Sequence, residues 1–192
     1  MALTITLELD EDDLDFFRGV LRRALEGADR RPAHEIIDAA TGVVESARKA
    51  RVSPFIRERF ELLEEMIEMC RDVQWQLEEP ERGRVLKVLA YFSNRDDVVP
   101  DDVPALGYLD DAIIVELGAR QLEHELIAYR DFCTFRTEAE AKLRAEGDRA
   151  EVGRDEWLAS RRQALLEKAR GSRASALATD LERRQVAKLF ED

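Results

Sequence analysis

The chain has 192 residues, of which 45% are hydrophobic and 38% are charged, and its formal net charge is −12. A chain of this length can bury a core of its own and fits one domain with an appendage. The acidic balance argues against nucleic acid as a partner, because affinity for nucleic acid comes largely from Lys and Arg. No apolar run approaches the about 20 residues of a membrane span, and the acidic N-terminus does not resemble a secretion signal. We therefore expect a cytoplasmic protein that does not span a membrane.

The N-terminal residues 3–9 alternate between apolar and polar side chains, which is typical of a β-strand. No second strand candidate follows in the sequence. A lone strand leaves its backbone hydrogen-bonding groups unpaired, so residues 1–9 would form a short extended arm, pair with another chain, or not be a strand at all. We favour strand addition between two copies, which would satisfy these groups. The arm therefore predicts a homodimer.

Five helical patterns follow the arm, and their starts carry the residues that helix N-termini prefer. The predicted helices begin near Asp10, Pro32, Ser53 and Pro80, and the fifth begins near Leu109 or Asp110. In the third helix the apolar residues fall at alternating steps of four and three from Ile56 to Leu77, and in the fifth the pattern runs to Tyr129.

From Thr137 onward the apolar density falls, and two weaker helical segments, about 154–170 and 175–190, lie on either side of Gly171. We predict an all-α protein. Residues 1–136 would form an irregular bundle of about five helices, and residues 137–192 a polar helical extension.

Residues 91–115, which include the connector between the fourth and fifth helices, contain aspartates and prolines at distinctive spacing. An Asp is followed by two apolar residues, Pro-Asp, Pro, Gly-Tyr and an Asp pair: Asp97, Pro100, Asp101, Pro104, Gly107, Tyr108, Asp110 and Asp111. This pattern resembles the YkvA-like bacterial family, a domain of unknown function, over about residues 85–125. Arg95 stands where that family usually has a proline. The resemblance implies a helical hairpin and no established activity.

The favoured interpretation of this connector is structural. Its prolines exclude a regular helix, and Asp97 and Asp110 are residue types that cap helix N-termini. We expect Tyr108 and Leu106 to fill the core beneath the connector.

The alternative interpretation is a metal site. If the connector folds over the start of the fifth helix, Asp97, Asp101, Asp110 and Asp111 approach one another. Carboxylate oxygens are the ligands that Mg²⁺, Mn²⁺ or Ca²⁺ would take. Neighbouring carboxylates can also shift each other's pKa and supply acid–base chemistry for a hydrolase.

No other enzyme motif is present. His34 and His124 are each followed by Glu, but neither has the second His that a zinc protease requires four residues later. The sequence contains no glycine-rich phosphate loop and no nucleophile elbow. We assign no catalytic residue and no cofactor-binding residue, and we expect the protein not to be an enzyme.

The sequence therefore favours a non-enzymatic interaction or adaptor module that self-associates and binds a protein partner it does not identify. The second hypothesis is a divalent-metal-binding protein that uses the aspartate-rich connector. The third is peripheral association with a membrane, which the net negative charge disfavours because anionic lipids would repel it.

Overall fold

The computed structural model describes residues 6, 8–26, 31–93, 103, 106–146 and 154–188, and it describes no side chain at 24–26, 143–146, 154 and 181–188. Most of the predicted N-terminal arm lies outside these residues. The described chain is built from α-helices with one short 3-10 turn. These are α1 (Glu11–Glu26), α2 (Ala33–Lys49), α3 (Pro54–Arg71), α4 (Glu81–Ala90), the 3-10 turn (Tyr91–Ser93), α5 (Leu109–Gln121), α6 (Glu123–Glu146) and α7 (Arg154–Lys188). No described residue is in a strand, which confirms the predicted all-α class.

The chain forms two compact units, of which the first contains α1 to α5. Within it α3 packs against α2, α4 and α5. The predicted apolar stripe of α3 is buried at Ile56, Phe60, Leu63, Ile67 and Cys70. This confirms the periodicity argument for that helix.

Helix α5 is buried on nearly all sides, since every residue from Asp110 to Val115 is buried. A helix that is enclosed all round needs small residues where a neighbour approaches. Gly118 is such a residue, because a Cβ atom built there would lie 2.4 Å from Cγ1 of Val88 on α4. The close approach of α4 and α5 therefore depends on the missing side chain.

The second unit consists of residues 72–76 together with α6 and α7. Helices α6 and α7 pack on each other, with Phe132 and Ala139 of α6 and Leu158 and Leu165 of α7 buried. The domain boundary predicted at residue 136 lies inside α6 and remains a prediction.

Three helix boundaries differ from those predicted. Helix α3 ends at Arg71 rather than near Leu77, and the predicted fifth helix is interrupted at Leu122, where neither Pro nor Gly provides a stop signal. The two predicted tail segments form one helix that continues through Gly171. A helical glycine costs only about 1 kcal/mol relative to alanine, so one glycine does not end a helix.

Candidate functional site

The predicted metal ligands lie partly outside the described residues. Asp97 and Asp101 lie outside them. Asp110 and Asp111 lie in the first turn of α5, where a carboxylate favourably faces the positive end of the helix dipole. Asp110 therefore stands inside the first turn, after the cap position at which we had expected it.

Both of these aspartates are buried: Asp110 is 2% and Asp111 5% exposed. Carboxylates are almost never so buried in soluble proteins unless they are paired. Within the described part of the chain, no three His, Cys, Asp or Glu side chains form a group that could hold a metal ion. The four-aspartate site consequently stays a prediction.

The backbone that leads into α5 makes a tight turn at Tyr108. Its φ angle is 66°, which is rare for a residue with a side chain. The Tyr108 ring is buried and meets the Phe60 ring edge-on at a centroid distance of 5.7 Å. The expectation for Tyr108 is thus confirmed. The expectation for Leu106 was wrong, because this side chain is 51% exposed.

In the second unit, Asp72 lies directly after α3 and accepts several hydrogen bonds. Its Oδ1 accepts hydrogen bonds from the backbone N–H groups of Gln74 (2.9 Å) and Trp75 (3.1 Å). Because these bonds form a local turn, they explain why helical geometry stops at Arg71. The Trp75 side chain is then buried completely against Tyr129 and Phe132 of α6.

The other oxygen of Asp72 connects this turn to α6. Arg136 Nη1 donates to Oδ2 at 2.7 Å, and the Tyr129 hydroxyl lies 3.2 Å from the same oxygen. Burial raises the pKa of the Asp72 carboxyl, but Arg136 and the two backbone N–H groups outweigh that effect, so the net pKa lies below its ordinary value. Asp72 is therefore a charged structural anchor at neutral pH, and sequence patterns gave no sign of its partners.

A second ion pair joins α6 to α7. Glu125 is 1% exposed, and its two carboxylate oxygens accept hydrogen bonds from Nε (2.9 Å) and Nη2 (2.8 Å) of Arg173. A bidentate pair of this kind is directional as well as strong. It fixes the register of α7 against the first turn of α6.

Cys70 offers little nucleophilic chemistry. Burial raises the pKa of Cys70 to about 11, so its thiol stays protonated at neutral pH and is a poor nucleophile. Of the two histidines, His34 is exposed and His124 is half-buried on α6.

Comparison with known protein families gives a match for one segment of the chain. Residues 82–117, from the first turn of α4 into α5, match the family described as "Protein of unknown function (DUF1232)". This is the helical hairpin for which the sequence suggested the YkvA-like resemblance, and the match confirms a bacterial domain of unknown function there. No curated protein and no solved structure matches the chain. Among the described helices, none is long and apolar enough to cross a membrane.

Proposed function

We propose that the protein is a non-enzymatic helical interaction module that self-associates through the C-terminal part of α7. The observation that carries this proposal is the length of α7 relative to its neighbour. Arg173 pairs with Glu125, which is only two residues after the start of α6 at Glu123. Helix α7 continues to Lys188. We call residues 174–188 the α7 overhang.

The side chains at the start of the α7 overhang lie at the surface. All seven residues from Ala174 to Asp180 are exposed, and Leu177 is 57% exposed. At about 1.5 Å per residue, the overhang extends roughly 22 Å. Short helices without tertiary packing are marginal in water, so covering the exposed apolar side chains at the start of the overhang would stabilise it.

That apolar face continues the face already buried on α6. Ala176 follows the buried Ala169 by seven residues, and Leu177 follows Arg173 by four, so both remain on the same side of the helix. In the sequence, Asp180 precedes Arg183 and Arg184. Two overhangs that run antiparallel would therefore bring opposite charges together around a two-fold axis, which favours a second copy as the partner. The N-terminal arm would add strand pairing to this dimer.

The test is light scattering on the full chain and on two matched variants. Leu177→Glu places a charge on the apolar face and should weaken dimerisation about tenfold or more, as expected for losing one buried Leu. Ala178→Glu adds the same charge on the opposite face and should leave dimerisation unchanged. Deletion of residues 1–9 should also weaken the dimer. Equal effects of the two Glu variants would contradict the proposal.

A second candidate function is divalent-cation binding by Asp97, Asp101, Asp110 and Asp111, with hydrolase chemistry as its extension. The burial of Asp110 and Asp111 favours it. A ligand that binds the native state raises stability, so chelator-treated protein should melt higher with Mg²⁺, Mn²⁺ or Ca²⁺. Asp110→Asn/Asp111→Asn should abolish that rise while retaining the side-chain shape. No rise with any of the three ions would refute this function.

A further inference from the structure

The first unit contains a cavity of about 410 Å³ between the start of α2 and helix α4. We call it the α2–α4 cavity. Among the described residues that line it, Arg31, Arg84 and Lys87 are cationic and Glu79 is anionic. The wall thus carries an excess of positive charge in a chain whose net charge is −12. Such a local reversal of sign concentrates anions.

The arginines of this wall are held by the fold. Arg31 donates a hydrogen bond to the backbone carbonyl of Ser93, and Arg84 Nη2 lies 3.2 Å from Oε1 of the buried Glu81. Anchored guanidinium groups lose less side-chain entropy when they bind, and their planar donor pairs match the oxygens of phosphate. Lys87 is exposed at the cavity and adds a mobile point charge.

Glu79, the only carboxylate on the described part of the wall, is hydrogen-bonded to the backbone. Glu79 Oε2 accepts a hydrogen bond of 3.0 Å from the N–H of Gly83 in the first turn of α4. This bond holds one negative charge beside the cations, and it opposes the entry of a second anion. Removing the charge of Glu79 therefore tests whether electrostatic attraction drives anion binding in the cavity.

The rest of the wall is apolar and includes Ile36 and Leu86. The cavity volume lies in the range of about 300–1,000 Å³ that is typical of sites for small organic molecules. A bare phosphate ion would leave this apolar surface uncovered. A ligand that contacts both the cationic and the apolar part of the wall has a phosphate group at one end and an organic group at the other.

We propose that the α2–α4 cavity binds a phosphate monoester, with Arg31, Arg84 and Lys87 at the phosphate and the apolar wall against the organic part. The guanidinium groups of Arg31 and Arg84 and the ammonium group of Lys87 offer donors to the three terminal oxygens of a monoester, whereas a carboxylate has only two oxygens to accept them. The residues that line this cavity take no part in the proposed contact of the α7 overhang, so this proposal stands or fails independently of self-association.

Calorimetric titration of the full chain tests this proposal with inorganic phosphate, glucose 6-phosphate and adenosine 5′-monophosphate as probes. Flotation with vesicles that contain phosphatidic acid tests a lipid as the source of the same phosphate group. We expect at least one organic phosphate to bind more tightly than inorganic phosphate. Vesicle binding with the variant pattern below would support the site and assign its phosphate to a lipid.

Three variants connect binding to this cavity. Lys87→Met should weaken binding about tenfold, whereas Lys49→Met, the same change at the far end of α2, should leave it unchanged. Glu79→Gln retains an acceptor for Gly83 but removes the opposing charge, so it should tighten binding about threefold to tenfold. The proposal would be overturned if neither an organic phosphate nor the vesicles bound. It would also be overturned if the organic phosphates bound no more tightly than inorganic phosphate, or if the two Lys variants had equal effects.

Discussion

Replacement of Asp72 tests whether the turn after α3 is held to α6 by one carboxylate. The side chain is 9% exposed and makes four hydrogen bonds, two to backbone N–H groups and two to α6. Removing a charged hydrogen-bond partner costs about 1.5–3 kcal/mol. Because Arg136 is 23% exposed and recovers some hydration, we expect a total loss of about 3 kcal/mol for Asp72→Ala.

The Asp72→Asn variant separates the two roles of this carboxylate. Asn keeps an oxygen for the backbone N–H groups and loses the charge that faces Arg136, so it should cost about half as much as Ala. Urea unfolding followed by tryptophan fluorescence measures both losses, since the Trp75 ring is buried beside the turn. A double-mutant cycle with Arg136→Met should give a coupling of about 1–2 kcal/mol. Loss of less than 0.5 kcal/mol in both variants would refute this account.

The pH dependence of the Asp72→Asn effect has a definite sign. The pKa of Asp72 is lower in the folded state than the value of about 3.9 expected when unfolded. Its contribution to stability is therefore complete above the unfolded pKa and is lost as the pH falls through the folded pKa. The difference between wild type and Asp72→Asn should be constant near neutrality and shrink in acid. A difference that grows in acid would contradict the charge assignment.

Three further predictions concern buried contacts. Arg173→Met should destabilise the protein by about 3 kcal/mol because it removes the bidentate ion pair of the buried Glu125 charge, and Glu125→Leu/Arg173→Met should recover most of this loss in urea unfolding. Gly118→Ala should lower the melting temperature, at a cost of about 1–3 kcal/mol, and Val88→Ala in the same chain should restore part of it; no rescue would contradict the close contact. Cys70 should react with a thiol reagent at pH 8 only as fast as the protein opens, because its pKa is about 11 and it is buried. Labelling at the rate of a free thiol would contradict its burial.

Hydrophobic periodicity predicted the helices of the first unit well. The stripe from Ile56 to Cys70 is buried as expected, and Val85 and Leu89 of α4 also lie in the core. Periodicity succeeds here because a helix with one buried face must place apolar residues at the helical repeat. The same pattern wrongly extended α3 to Leu77. The helix ends earlier because the Asp72 carboxylate accepts hydrogen bonds from the backbone N–H groups of Gln74 and Trp75.

The polar contacts could not be predicted from the sequence. Glu125 and Arg173 are separated by 48 residues, and nothing in their local patterns distinguishes them from the solvated charges nearby. The α7 overhang was likewise hidden, because Gly171 suggested a break where the helix continues. Of the predicted site, burial of Asp110 and Asp111 is established, whereas the approach of Asp97 and Asp101 depends on residues outside those described.

The most direct test of the central claim is the mass of the wild-type chain in solution, measured by light scattering over a wide range of protein concentration. Self-association through the α7 overhang predicts a mass approaching twice that of one 192-residue chain as the concentration rises. It also predicts that Leu177→Glu moves this transition to higher concentration and that Ala178→Glu does not. A wild-type protein that stays monomeric at every concentration would contradict the claim.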